Sequence, residues 1–294
     1  EQPFRGPLAP RATSLRWVAS GAAALVLAGA LQMLLCSQAS LLSFSTVSRN
    51  AADWYASSRS VADDFPGCAL VTGKHRFEGG SARTYARGRC DRPVPAAAPA
   101  RVFVAGDSHA MAYIELLQRL ALDSGAQVSL YGRGGCPQVS LQKWRGAGAG
   151  CEAFDAAVFA DISQRAQPGD VVVLVSLRVP RLSDQFVLFD AAAQLAGERT
   201  PEAAAGRDAE VAEAIAQWKP LAERGVRIVM EAPKPVLPAP PYRCSDAFNA
   251  DNEVCRNGLV STRADMEALR APMLGSLQQV VAGLPGAVMW DPLP

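Results

Sequence analysis

The stretch between Arg101 and Leu117 constrains the fold of this chain more than any other. It begins with β-favouring residues that end at a small-residue turn, Gly106-Asp107-Ser108. Apolar residues then recur at helical spacing, at Ala110, Tyr113, Ile114 and Leu117. The stretch therefore predicts a strand that passes directly into a helix, with Ser108 at the turn between them.

A hydroxyl group at such a turn is well placed for acyl transfer. Free backbone N–H groups and the positive end of the helix dipole lie beside Ser108, and both favour a developing negative charge. Asp107 or Ser108 can instead cap the helix, since both residue types commonly do so. The local sequence leaves both interpretations open.

Composition limits the classes of function. The 294 residues are 49% hydrophobic and 19% charged, which is enough to bury one sizeable core. The net charge is only +1 and no basic run is present, so nothing indicates a nucleic-acid partner.

An uncharged run of twenty residues extends from Trp17 to Cys36, which is the length of a helix that crosses a bilayer. A buried soluble helix and a signal peptide are the alternatives, but a signal peptide usually has a shorter apolar core and lies nearer an initiating Met. Arginines precede the run and the next one follows only at position 49, so the positive-inside rule assigns residues 1–16 to the cytoplasm and those after about 37 to the outside.

Six of the seven cysteines follow this run as three sequence-local pairs. In an oxidising compartment the simplest assignment is three disulfides, although six cysteines allow 15 connectivities. A metal site is the alternative, but the sequence has no C-x-x-C or H-x-x-x-H spacing, so we expect none. The predicted disulfides are Cys68–Cys90, Cys136–Cys151 and Cys244–Cys255.

Strands and helices alternate from residue 101 onward. The predicted strands are 101–105, 127–131, 170–176, 225–231 and 286–290, and the predicted helices are 109–124, 151–165, 207–224 and 262–283. This order predicts a three-layer α/β/α fold of flavodoxin-like type with a five-stranded parallel sheet, whose sites gather at the carboxyl ends of the strands. Residues 37–100 are expected to be a linker and lead-in, with a loop between Phe65 and Cys90.

Gly106-Asp107-Ser108-His109, at the end of the first predicted core strand, resembles the opening motif of the SGNH hydrolase family. It is most similar to the branch fused to acyltransferase-3 membrane proteins, which O-acetylate bacterial surface glycans. Residues 1–5, Glu-Gln-Pro-Phe-Arg, also resemble the end of the acyltransferase-3 membrane domain. The resemblance implies a membrane-domain tail at 1–16, a transmembrane helix at 17–36, a lead-in at 37–100 and an SGNH domain at 101–294.

The resemblance also implies roles for individual residues. Ser108 would be the nucleophile, and the oxyanion would be bound by the Ser108 N–H and by a glycine N–H, that of Gly135 or Gly134. Those glycines can equally serve a tight turn that needs positive φ. The family's third conserved block normally contains an Asn, which is missing here, and Arg178 stands at that point. Arg178 would stabilise the oxyanion or bind a sugar. Its alternative role is a salt bridge at the surface.

The catalytic base is the main departure from the family pattern. The family's Asp-x-x-His block lies beyond the last strand, and neither histidine of this chain, His75 or His109, occupies that place. We expect His109 to pack or contact substrate, His75 to be solvated, and Asp291 to mark the approach to the block. Either the sequence is a truncated part of an enzyme and inactive alone, which we favour, or the domain is a non-catalytic relative.

The expected function is transfer of an acetyl group to hydroxyls of a bacterial envelope glycan such as lipopolysaccharide O-antigen. Acetyl-CoA would be the donor through the upstream membrane domain, with no cofactor bound by this segment. Besides that domain, the expected partners are the glycan and the lipid bilayer of the bacterial inner membrane, with residues after about 37 in the periplasm. A glycan esterase or deacetylase and an inactive glycan-binding module are the alternatives.

Overall fold

The computed structural model describes residues 11–54, 61–96, 98–142, 150–184 and 186–293. The chain divides into two compact units, residues 1–55 and 56–294. The segment at residues 1–5 that resembles the end of a membrane domain lies outside the described residues.

The first unit is helical. Helix α1 (Arg11–Ser37) is followed by three single-turn helices, α2 (Ala39–Leu42), α3 (Thr46–Arg49) and α4 (Ala51–Trp54). Within α1, Leu15–Ser37 has a mean hydropathy of 1.9 and none of its most apolar window is buried. This segment contains the predicted span and is long and apolar enough to cross a membrane.

The second unit has seven strands and seven helices among the described residues. The strands are β1 (Cys68–Phe77), β2 (Gly80–Cys90), β3 (Arg101–Gly106), β4 (Gln127–Gly132), β5 (Val171–Val175), β6 (Arg227–Glu231) and β7 (Val288–Trp290). The helices are α5 (Ser108–Met111), α6 (Ile114–Ser124), α7 (Cys151–Arg165), α8 (Ala191–Glu198), α9 (Pro201–Glu223), α10 (Pro241–Cys244) and α11 (Arg263–Gly283).

All seven strands form one sheet in the order β1-β2-β4-β3-β5-β6-β7. The five strands from β3 to β7 are parallel, as the alternation of strands and helices predicts. Strand β5 is a run of valine and leucine in the middle of the sheet, which is the composition expected where both faces of a strand are covered.

The two faces of the sheet pack against different helices. Phe103 and Leu174 point into a core with residues of α7, α9 and α11, including the fully buried Trp218. Val102 and Val104, which alternate with Phe103 along β3, point into a core with α5 and α6. The second unit therefore has the three layers that the sequence predicts.

The prediction for the lead-in is wrong in one respect. The stretch that is expected to be a loop between Phe65 and Cys90 forms the hairpin β1–β2, which extends the sheet antiparallel to β4 and makes it a seven-stranded mixed sheet. Of the residues of β2 only Ala82 and Tyr85 are buried. The period-2 apolar pattern that identifies a strand is therefore too weak to see in the sequence.

The structure forms the three disulfides that the cysteine spacing predicts, Cys68–Cys90, Cys136–Cys151 and Cys244–Cys255. The first lies across the hairpin, where Cys68 and Cys90 are paired residues. The second ties the loop after β4 to the start of α7. The third closes a short segment that begins at the last residue of α10.

Candidate active site at the carboxyl edge of the sheet

The carboxyl ends of the central parallel strands lie side by side. Gly106 at the end of β3 is in register with Gly132 of β4 and with Val175 of β5. A Cβ atom on Gly106 would lie 1.7 Å from the Val175 carbonyl oxygen, so only glycine fits there. The loops that follow these strands are therefore brought together around Ser108.

Asp107 caps the helix that begins at Ser108. Its Oδ1 accepts the His109 N–H at 2.8 Å, and its Oδ2 accepts the Leu177 N–H at 3.1 Å. The buried carboxylate thus also connects the end of β3 to the loop after β5. Ser108 is the first residue of α5 and is exposed, so the capping role falls to Asp107 and leaves the serine at the surface of this edge.

The glycine loop after β4 begins next to Ser108, because the Arg133 N–H donates to the Gly106 carbonyl at 3.3 Å. The Cys136 N–H then donates to the Arg133 carbonyl, and Gly135 has φ of +76°. The positive φ confirms that this turn needs a glycine at 135, whereas Gly134 is not among the positive-φ residues. Both glycines are exposed, and a role of either N–H in binding an oxyanion remains a prediction.

Arg178 is completely buried, so it does not form the surface salt bridge weighed as its alternative role. Its guanidinium donates to three backbone carbonyls, those of Val139, Glu231 and Leu174, at 2.9, 2.6 and 3.0 Å. Burial lowers the pKa of Arg178, and the negative charges of Glu231 and Asp107 oppose that effect. A direct contact between Arg178 and substrate would require these hydrogen bonds to break, so the geometry favours a positioning role.

A cluster of two half-buried residues, Tyr113 and Lys234, surrounds the buried Glu231 at the end of β6. Glu231 is fully buried, and its carboxylate accepts a hydrogen bond from the Tyr113 hydroxyl. The same carboxylate forms an ion pair with Lys234 Nζ at 2.8 Å. The Lys234 ammonium also lies 4.9 Å from the centre of the Tyr113 ring. Burial lowers the pKa of Lys234, while burial and the bond to Glu231 raise the pKa of Tyr113. The sequence places Glu231 and Lys234 at this edge but gives no sign of their pairing with Tyr113.

His109 is half-buried near this cluster. Its pKa is lowered mainly by burial, and further by Lys234 and Arg181, while the negative charges of Asp107 and Glu231 oppose the shift. The imidazole is therefore neutral at neutral pH. His75, the other histidine of the chain, is exposed on β1 as predicted for a solvated residue, although it lies on a strand and not in a loop.

A cleft of about 440 Å³ opens beside His109. One wall comes from the loop after β5 and the other from the segment after β6. The residues that line it are His109, Leu177, Arg181, Leu182, Ser183, Asp184, Pro235, Val236, Leu237, Ala239, Pro240 and Pro241. The lining includes His109, which follows Ser108 in the chain, but not Ser108 itself.

Two other features contribute less to this edge. A larger cavity of about 690 Å³ is lined mainly by α8 and α9, and two of its three charged residues, Arg207 and Glu198, form an ion pair at 3.4 Å. Its lining includes no residue of the Ser108 turn. Asp291, after β7, forms an ion pair with the buried Arg270 of α11.

Within the described residues no group of three or more His, Cys, Asp or Glu side chains could bind a metal ion.

An exposed serine at the carboxyl edge of a parallel α/β sheet is an arrangement that serine-dependent hydrolases and acyl-transfer enzymes use. Comparison of the sequence with protein families narrows this class to one family. The model of the family described as "SGNH domain (fused to AT3 domains)" matches residues 73–294. The chain belongs to this family.

Comparison with solved structures gives remote similarities. The periplasmic domain of a lipopolysaccharide acetyltransferase from Salmonella ser. Paratyphi A is 13% identical, with 65% of this chain and 66% of that one covered and a TM-score of 0.36. The matched region thus spans just under two thirds of that domain. A mutant of the esterase rPPE is 9% identical over 86% of this chain and 80% of that one, with a TM-score of 0.35. A bacterial heroin esterase is 9% identical over 85% and 83%, with a TM-score of 0.33. No curated protein is significantly similar to the chain in sequence.

Proposed function

We propose that this domain transfers an acyl group, namely acetyl, to hydroxyls of a bacterial envelope glycan such as lipopolysaccharide O-antigen, with Ser108 as the nucleophile. The observation that carries the proposal is Ser108 itself, which is exposed at the first position of α5, where the carboxyl ends of β3, β4 and β5 lie side by side. Membership of a family fused to AT3 domains supports transfer over hydrolysis. An AT3 domain in the same chain would supply an acyl donor, and a simple esterase needs no such donor.

In the proposed reaction the Ser108 oxygen attacks the carbonyl carbon of the donor acyl group and loses its proton to a base. Backbone N–H groups of Ser108 and of Gly135 or Gly134 stabilise the oxyanion. The donor's leaving group departs with a proton, and Ser108 carries the acyl ester. A glycan hydroxyl then attacks this ester, its proton passes to the base, and the Ser108 hydroxyl is restored.

We assign the base to the His of the family's Asp-x-x-His block; residues 1–294 contain no such block. His109 contributes a neutral imidazole to the cleft wall, where it contacts substrate. Asp107 and Arg178 position the loops around Ser108 through their hydrogen bonds to Leu177 and to three backbone carbonyls.

The proposed location follows from the two units. Helix α1 crosses the bacterial inner membrane, and the second unit lies in the periplasm, where disulfides form and persist. The upstream membrane domain takes acetyl groups from cytoplasmic acetyl-CoA and passes them to this side, so the segment itself binds no cofactor.

The test uses the complete gene product in cells that lack the chromosomal copy. We expect O-acetyl groups on the purified surface polysaccharide, measured by NMR, to be restored by the wild type and lost with Ser108→Ala. Ser261→Ala, at a partly exposed serine before α11, is the matched control and should restore acetylation. Full acetylation with Ser108→Ala would exclude this mechanism. A wild type that instead removes acetyl groups would assign the esterase function.

A further inference from the structure

The hairpin β1–β2 concentrates positive charge that the proposed reaction does not use. Between Cys68 and Cys90 the sequence has five lysine and arginine residues and one acidic residue, Glu78 at the turn. The hairpin therefore has a net charge of +4, which leaves −3 on the rest of the chain, since the whole chain has +1. The charges of this chain are thus segregated in space, although the sequence has no basic run.

The strand register collects four of these cations on one face of the hairpin. Lys74 is paired with Arg83 across β1 and β2, so their side chains are neighbours on the same side. Arg76 and Arg87 point to that side as well, because side chains alternate along a strand. Lys74 and Arg76 are exposed, and Arg83 and Arg87 are half-buried. We call these four residues the basic face.

The basic face is on the same side of the sheet as α5 and α6. Tyr85, which lies between two of the cations on β2, is buried in a core with residues of both helices. Ser81 of β2 is in register with Gly132 of β4, so the turn of the hairpin lies at the carboxyl edge of the sheet. The helix that begins at Ser108 therefore packs on the side of the sheet that also carries the four cations.

The protein does not neutralise the basic face internally. Among the described residues none of its four cations forms an ion pair. On the side of α6, Asp64 and Glu115 both pair with Arg119. Arg87 donates to two backbone carbonyls after β2, which fixes its side chain and leaves its charge uncompensated.

Protection of the sheet edge explains only part of this charge. Strand β1 is an edge strand, and cations on such a strand prevent pairing with another chain. Strand β2 is paired on both sides, so Arg83 and Arg87 have no edge to protect. Cations on an outer and an inner strand together form a surface that suits a partner with many negative charges.

We propose that the basic face docks on the anionic phospholipid headgroups of the membrane in which α1 is inserted. Charge complementarity favours this partner, because Lys and Arg side chains are attracted to an anionic lipid surface. The chain favours it too, since residues 38–67 tether β1 to α1 and keep a lipid surface at high effective concentration. Docking brings the helix of Ser108 close to the lipids. The proposal rests on the proposed membrane location and is independent of the chemistry of Ser108.

Hydrogen–deuterium exchange of the complete gene product in lipid nanodiscs tests the docking. Nanodiscs of mixed phosphatidylglycerol and phosphatidylcholine are compared with nanodiscs of phosphatidylcholine alone. We expect the amides of β1, whose outer edge is unpaired, to exchange several-fold more slowly in the anionic nanodiscs. High salt should abolish this difference, because it screens charges at a surface.

Lys74→Gln combined with Arg83→Gln removes two charges from the basic face. The ratio of docked to undocked protein should fall roughly 30-fold, about five-fold for each charge, so the slow exchange should be lost. Arg199→Gln combined with Arg256→Gln is the matched control, because it removes two charges from exposed arginines outside the hairpin and should retain the slow exchange. Arg76→Gln, at an exposed side chain, is the second variant if the first pair lowers the Tm, and it should weaken docking about five-fold.

Slow exchange that persists in the Lys74→Gln, Arg83→Gln protein would exclude the docking. Slow exchange of the same size in both kinds of nanodisc would assign the basic face to the upstream membrane domain and not to lipid. Slow exchange that appears only when a phosphorylated polysaccharide is added would assign it to a soluble polyanion. Acetylation that depends on Ser108, with exchange that does not depend on lipid, would retain the proposed function and exclude the docking alone.

Discussion

Arg178 shows how burial decides the role of a single residue. The sequence suggests either a substrate-binding arginine or a surface ion pair at this position, and the structure instead directs the side chain into the protein. Its guanidinium connects the ends of β5 and β6 with the loop that contains Val139. Arginine suits this position because its planar fork donates in several directions at once.

Replacing Arg178 with leucine should lower the free energy of unfolding by about 3 kcal/mol or more, because buried carbonyls that lose their donors cost about 1–3 kcal/mol each. Urea denaturation of the purified protein measures this loss. Arg178→Lys should recover only part of the stability, since an ammonium on a flexible stem cannot reproduce the fork. An Arg178→Leu protein as stable as wild type but impaired in acetyl transfer would instead assign Arg178 to the oxyanion or the sugar.

At the scale of elements, the contact between α7 and the glycine loop contains a titrating group. The Gln138 side-chain amide donates to Asp155 Oδ1 at 2.6 Å. Burial raises the pKa of Asp155 to about 7, against the opposing charge of Arg133. The folded protein therefore retains a proton on Asp155 at pH values where the unfolded chain, with a pKa of about 3.8, has lost it.

The stability contributed by this proton is fully present below the unfolded pKa and is lost as pH rises through about 7. Asp155→Asn, which is always neutral and still accepts from Gln138, should remove this loss. We expect the Tm of the wild type to fall more steeply than that of the variant between about pH 4 and about pH 7, and the two profiles to run parallel above that range, measured by calorimetry. The depressed pKa of His109 acts on both proteins alike and cancels in the comparison. Parallel Tm profiles between about pH 4 and about pH 7 would contradict the raised pKa.

The whole molecule shows which contacts sequence patterns can predict. The parallel strands and Ser108 are predicted because a buried apolar strand and a strand-to-helix turn leave local signatures. The hairpin β1–β2 is missed because few of its residues are buried. The pairing of Tyr113 with Glu231 joins residues 118 positions apart, and no local pattern encodes such a contact.

The glycine loop is an intermediate case. A tight turn near Gly134 and Gly135 is predicted, and φ of +76° confirms it at Gly135. The contacts that fix this loop are not predicted, because they come from the Asp155 carboxylate of α7 and from the Gly150 carbonyl, which accepts Arg133 Nη1 at 2.6 Å. Only the disulfide to Cys151 is visible in the sequence, through the cysteine spacing.

The central claim is that Ser108 forms an acyl ester, and its most direct test is to trap that ester. The complete gene product is mixed with p-nitrophenyl acetate, quenched in acid and digested with trypsin, which releases the peptide 102–119, whose only serine is Ser108. We predict that tandem mass spectrometry finds one acetyl group on Ser108. The Ser108→Ala protein should carry no acetyl group on this peptide and should no longer hydrolyse p-nitrophenyl acetate. Hydrolysis that persists in Ser108→Ala, with the acetyl group on another residue, would contradict the account.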